Sequence, residues 1–178
     1  MRVFVAVDLP EGDTKERVKA YLEGLGDKRW LKPVSPNNLH FTLAFIGEVG
    51  DQVAEKAKRA LIQVKHQPFE VELSGIGFFP DERRPRVIWI GVSEDKGGRE
   101  LEGLANLVRD KLREANVPYD SKPFTPHLTL ARAKGDSTGN IPSAGSFGAF
   151  LVEGFSLKES VLTSSGPIYR DLQVVSLV

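Results

Sequence analysis

Two hydrophobic periods alternate along the 178-residue chain, and the switches between them outline its elements. Val3-Phe4-Val5-Ala6-Val7 is a short β-branched and aromatic run that predicts a buried first strand over Arg2 to Asp8. Leu9-Pro10 and Gly12 break it. Asp13 or Thr14 then caps a helix whose apolar positions Val18, Tyr21, Leu22 and Leu25 recur at helical spacing, and Gly24 and Gly26 end it. After the Pro33 to Asn38 turn, Asn38-Leu39-His40-Phe41-Thr42-Leu43-Ala44-Phe45 alternates as a strand and closes at Gly47 to Gly50. Asp51 caps a second amphipathic helix with Val53, Ala57, Ala60, Leu61 and Val64 on its dry side. Phe69 to Phe79 reads as a long strand, bulged at Gly75 or Gly77.

The second half repeats the alternation. Val87 to Val92 predicts a buried strand, and Leu101, Leu104, Ala105, Val108 and Leu112 predict a helix that stops at Asn116 before Pro118. Pro126-His127-Leu128-Thr129-Leu130-Ala131-Arg132 then alternates as another strand. Gly135 to Gly148, rich in Gly, Ser and Pro, reads as a mobile loop. Two strands finish the chain, Ala149 to Leu162 and Ile168 to Leu177. A strand-helix-strand unit therefore occurs twice, from Arg2 to Ile46 and from Arg86 to Ala133. The expected architecture is α+β, one two-lobed domain with pseudo-repeats over about 1–80 and 86–178, antiparallel sheets lining a central cleft and helices outside.

Composition narrows the function classes. Hydrophobic residues are 40% and charged residues 27%, an ordinary globular balance. Lys plus Arg and Asp plus Glu are 24 each, so the chain lacks the basic excess of a non-specific duplex binder. It holds no cysteine, which removes thiolate nucleophiles, disulfides and cysteine zinc sites. No run reaches transmembrane length and the N-terminus opens as a strand, so no membrane partner and a cytoplasmic location are expected.

The chemistry lies in a repeated pattern. Two of only three histidines sit in the same frame, His-x-Thr-Leu-Ala, at His40 and His127. On a strand His40 and Thr42 share one face, as do His127 and Thr129, while Phe41, Leu43, Leu128 and Leu130 take the other. The imidazole pKa of about 6.5 lets one ring be neutral and another protonated near neutrality, which suits a general base and a general acid across one centre. The threonine hydroxyls can donate to anionic oxygens. Together they fit in-line displacement at phosphorus. No Asp/Glu/His cluster with metal-ligand spacing accompanies them, so no metal and no cofactor are expected. A regular strand would put Arg132 on the face opposite His127, where it could grip phosphate from the strand end or pair with a carboxylate. Tyr169 could stack on a base or pack beneath the cleft, with core packing favoured; Trp30 reads as core, His66 as an exposed helix-end residue, and Arg83, Arg84 and Arg86 as a solvated loop that, beside a cleft, could meet an RNA backbone.

These two motifs, in a chain of this length, resemble the two-histidine phosphoesterase superfamily. The flanks Arg29-Trp30, Phe45-Ile46-Gly47, Pro126 and Arg132, with Gly166-Pro167-Ile168-Tyr169 near the C-terminus, are similar to its RNA 2′,3′-cyclic phosphodiesterase group, also called 2′-5′ RNA ligase-like. The resemblance spans essentially the whole chain. It implies two lobes around a cleft with both motifs on its floor, no metal requirement, and hydrolysis of a 2′,3′-cyclic phosphate to a 2′-phosphate. It also implies His40 as proton donor and His127 as proton acceptor, which motif symmetry alone leaves open. The expected partner is RNA with a 2′,3′-cyclic phosphate end, tRNA fragments included, and the expected state a monomer. Reversible 2′-5′ ligation at the same site, and a non-catalytic nucleotide- or RNA-binding module, stay open as alternatives.

Overall fold

A computed structural model describes residues 1–136 and 140–178. Nine strands and three α-helices follow one another as β1 (Arg2–Asp8), α1 (Asp13–Gly26), β2 (Leu31–Pro33), β3 (His40–Glu48), α2 (Asp51–Leu61), β4 (Phe69–Phe79), β5 (Val87–Val92), α3 (Arg99–Glu114), β6 (Leu128–Ala133), β7 (Ser146–Val152), β8 (Gly154–Thr163) and β9 (Gly166–Ser176) among the described residues. The fold is α+β, as the periodicity predicts. A 3₁₀ turn, Pro36–Asn38, delivers the chain into β3.

The strands form two antiparallel sheets, ordered β3-β1-β8-β9 and β2-β6-β5-β4-β7. Set side by side, β3-β1-β8-β9 and β6-β5-β4-β7 are the same arrangement, each motif strand paired with the first strand of its own half. Each sheet borrows: β8 and β9 cross back to pair with β1, while β4 crosses forward to pair with β5. The lobes are therefore interleaved in sequence, which ties each motif strand to both halves. Periodicity predicts one strand over Ala149 to Leu162. The structure instead splits it at Glu153, with β7 in the second sheet and β8 in the first. At Gly154 a Cβ would stand 2.6 Å from the Val175 carbonyl, so only glycine admits this change of sheet. The start of α2 also differs, since Gly50 rather than Asp51 is its N-cap. Of the Gly135 to Gly148 loop, residues 137–139 lie outside the described residues.

One core joins the lobes. Val3, Val5 and Val7 of β1, Phe41 and Leu43 of β3, Ile88 and Ile90 of β5, and Leu128 and Leu130 of β6 are all at most 2% exposed. Phe41 stacks on Phe150 of β7 at 6.1 Å, bridging the two sheets. On the helices the buried positions recur at three and four residues: Val18, Leu22 and Leu25 on α1, and Leu101, Leu104, Ala105, Val108 and Leu112 on α3. α1 packs on β7 and β2, and α3 on β3 and α2. The opposite faces of the motif strands are left for the cleft.

Candidate active site

Both motif strands carry the same local irregularity. In β3, Ala6 pairs with Thr42 and Val5 with Ala44, so Leu43 is an extra residue. In β6, Trp89 pairs with Thr129 and Ile88 with Ala131, so Leu130 is extra. Each is a β-bulge, which inserts one residue and kinks the strand. Leu43, Ala44, Leu130 and Ala131 are all fully buried, so two consecutive side chains turn inward at each bulge. The consequence is a change of face one position later. Arg132, expected opposite His127 on a regular strand, returns to the His/Thr face, and Phe45 does so in β3. The repeated Leu-Ala after each threonine is the signal that could have foretold it.

The histidines are held alike. His40 Nδ1 lies 2.6 Å from the Asn38 carbonyl, and His127 Nδ1 lies 2.6 Å from the Thr125 carbonyl. A carbonyl only accepts, so Nδ1 carries the donated proton in both rings. Each neutral ring then keeps its lone pair on Nε2, the nitrogen free to exchange a proton. Thr42 Oγ1 lies 3.1 Å from His40 Nε2, on the same face. His127 stands one position ahead of β6.

Their surroundings differ. His40 lies in an aromatic box, 5.2 Å from Phe4 and 5.2 Å from Tyr169. Tyr169 is not the core residue its pattern suggests: the β8–β9 hairpin brings it edge-on to His40, half-buried. Beneath it Lys158, 6% exposed, bridges Asp8 at 3.0 Å and Asp171 at 2.6 Å. Asp8 is the direct cross-strand partner of His40. Burial pushes the His40 pKa down. The Asn38 carbonyl and Asp8 pull it up, and Lys158 and His127 push it down further. Lys158 is held above the ordinary lysine value, its burial outweighed by hydrogen bonds to Asp171 and Asp8.

His127 meets Phe79 at 5.2 Å and Trp89 at 6.0 Å, ring edge to ring face. The Trp89 indole lies flat across the sheet over Gly77, where a Cβ would come within 2.2 Å of it. Phe4, Phe79 and Trp89 are site residues that periodicity alone assigns only to strands.

The two half-sites share one cleft. β3 lies against β6, and the charges of His40 and His127 repel one another. Arg132 is likewise within electrostatic reach of Tyr169, whose hydroxyl burial shifts above its ordinary pKa. Arg109 ties the segments together from behind. Its Nε donates to the Leu43 carbonyl exposed by the bulge, at 3.1 Å, and its Nη1 to the Lys122 carbonyl ahead of His127, at 2.7 Å.

His66 stays apart, half-buried against Phe69 at 5.0 Å rather than exposed at a helix end. Trp30 is a core residue at 6% exposure. Among the described residues no group of three His, Cys, Asp or Glu is placed to hold a metal ion, and no helix is long and apolar enough to cross a membrane.

Comparison with known proteins matches the chain to one family. The model of the LigT-like phosphoesterases matches twice, over residues 7–89 and 90–169. An Archaeoglobus fulgidus protein named RNA 2′,3′-cyclic phosphodiesterase is 43% identical over 98% of this chain and 99% of its own. A crystal structure of Escherichia coli LigT complexed with 3′-AMP superposes with a TM-score of 0.83 at 28% identity, covering 99% of this chain and 97% of that one. A crystal structure of a Thermus thermophilus protein gives a TM-score of 0.81 at 35% identity over 99% and 97%.

Proposed function

The chain belongs to the LigT-like phosphoesterases, and we propose that it is an RNA 2′,3′-cyclic phosphodiesterase that opens the cyclic phosphate to a 2′-phosphate by two-histidine catalysis without a metal ion. The observation that carries this reading is the matched anchoring of His40 and His127. Both present Nε2 from equivalent strands of one cleft, each with Nδ1 tied to the carbonyl two residues before it.

Water attacks the phosphorus as the Nε2 of one neutral imidazole takes its proton. The P–O3′ bond breaks as the Nε2–H of the other, protonated imidazole delivers its proton to the 3′-oxygen. The P–O2′ bond is retained, so the phosphate stays on the 2′-oxygen, and atoms and charge balance. His127 is assigned the acceptor role and His40 the donor role. Burial lowers the His40 pKa. An anionic phosphodiester bound beside it works in the opposite direction, favouring the imidazolium the donor requires. Substrate binding thus arms the acid. Thr42, Thr129 and the bulge-turned Arg132 hold the non-bridging oxygens, where a planar guanidinium is suited to two contacts. RNA fragments with a cyclic phosphate end, tRNA fragments among them, are the proposed substrates, taken by a cytoplasmic monomer.

The test is incubation with a nucleoside 2′,3′-cyclic phosphate in a strong chelator. Accumulation of the nucleoside 2′-phosphate at an undiminished rate is expected. Loss of turnover in chelator, restored by a divalent cation, would move the site to metal-assisted hydrolysis. Binding without turnover would leave a nucleotide-binding module.

A further inference from the structure

The bulge in β6 does more than turn Arg132 into the cleft. Lys32 of β2 is the direct cross-strand partner of Arg132, Arg132 of Val87, and Val87 of Phe79. Directly opposed residues in an antiparallel ladder share a face, so these four form one row across the cleft side of the second sheet. Lys32 is exposed, while Leu31 beside it is 2% exposed and points into the core. The row runs on into the β4–β5 turn, which carries Arg83, Arg84 and Arg86.

None of the cations there is ion-paired. Lys15, Lys58, Lys111, Arg113, Lys158 and Arg170 each have a carboxylate within ion-pairing distance. Among the described residues none of Lys32, Arg83, Arg84, Arg86 or Arg132 does. The turn's own acids are Asp81 and Glu82. Asp81 Oδ1 is taken up by the backbone N–H groups of Arg83 and Arg84, at 2.8 and 3.0 Å. Arg86 reaches the Gly135 carbonyl at 3.4 Å. In a chain whose formal net charge is zero, one end of one sheet is thus left with an open positive row beside the phosphate site.

We propose that Lys32 and the Arg83–Arg86 turn form a backbone-phosphate track that receives the ribose-phosphate chain 5′ to the reacting nucleotide, so that the enzyme favours oligonucleotide ends over mononucleotides. This rests on the cyclic phosphodiesterase reading above. Neighbouring strands are about 4.8 Å apart, which sets Lys32 one strand beyond the Arg132-held phosphate, with a flexible stem to meet the next one. Such contacts position a strand and carry no sequence information, so the track accepts any base. Its affinity falls with salt as condensed counterions are released.

The test compares kcat/KM for a nucleoside 2′,3′-cyclic phosphate with that for a short oligoribonucleotide ending in the same group, across a salt series. Wild type is expected to favour the oligonucleotide. Lys32→Gln is expected to lower kcat/KM for the oligonucleotide roughly three- to tenfold through KM, with a salt slope shallower by about 0.7. The mononucleotide rate, which also reports an intact fold, stays unchanged. The double variant Arg83→Gln/Arg84→Gln is expected to act in the same direction. Equal losses on both substrates, or no loss on either, would overturn the track. Failure of the underlying reading looks different, because wild type would then hydrolyse neither substrate.

Discussion

The His40 and His127 half-sites are one design in two settings. Each histidine bonds the carbonyl two residues back, each threonine follows on the same face, and each bulge falls on the leucine after it. The neighbours diverge. His40 is boxed by Phe4 and Tyr169 beside the buried Lys158 and its two exposed carboxylate partners, Asp8 and Asp171, whereas His127 rests on Phe79 and Trp89 at an open strand end. After the bulge, β3 presents Phe45, covered by Arg2 at 5.0 Å, where β6 presents Arg132. The duplicated fold thus supplies two equivalent positions. Burial and neighbouring charge distinguish them, His40 in the enclosed aromatic setting and His127 at the open strand end.

The largest break is removal of either imidazole. His40→Ala and His127→Ala are each expected to lower kcat/KM by about 10²- to 10⁴-fold on a cyclic phosphate substrate. The double variant should fall well short of the product of the two losses, since both rings serve one transition state. Each single variant loses two ring contacts, His40 with Phe4 and Tyr169 and His127 with Phe79 and Trp89, worth about 0.5–1.5 kcal/mol each at most, so both should melt modestly and comparably below wild type.

Next come the groups proposed to hold oxygens. Arg132→Gln is expected to cost roughly 10- to 150-fold in kcat/KM, the worth of a charged hydrogen bond, while Phe45→Leu in the matching position leaves turnover near wild type. Equal effects at the two positions would erase the asymmetry. Thr42→Val and Thr129→Val keep the β-branched shape and lose the donor, and similar losses within that same range are expected, deepened in the double variant. Catalytically silent but destabilised variants would make the threonines structural.

The smallest effect is a shift in pH dependence. Burial lowers the His40 pKa and Asp8 partly restores it. Removing that negative charge in Asp8→Asn lowers the pKa again, so the protonated donor is lost sooner as pH rises. The alkaline limb of the bell-shaped kcat/KM profile should move to lower pH. In wild type, the same limb should lie higher for kcat than for kcat/KM, because bound phosphate favours the imidazolium. An alkaline limb unmoved by Asp8→Asn would detach the Asp8–Lys158–Asp171 cluster from His40.

Much of this is legible in the chain. The strand and helix periods yield the α+β order, and the duplicated His-x-Thr-Leu-Ala yields the paired His/Thr positions that face the cleft, because alternation and repetition are local signals. What stays hidden is set by pairing partners. Simple alternation puts Arg132 on the wrong face because a bulge depends on the register of β5 against β6. Tyr169 reads as core because only the return of β8 and β9 to β1 brings it beside His40. Lys158 and Asp171 carry no signal at all, being one cross-strand pair in the last hairpin. The split at Glu153 escapes for the same reason, since a continuous apolar pattern does not say which sheet each segment joins.

The central claim is that His40 and His127 address one phosphate through their Nε2 atoms. Nitrogen-15 NMR of the histidine-labelled protein, titrated with a nucleoside 2′-phosphate, tests it directly. Both rings are expected to be Nδ1–H tautomers when neutral, and both Nε2 signals should move along a single binding curve while His66 stays still. Two different binding curves, or a response from one ring alone, would contradict a shared site.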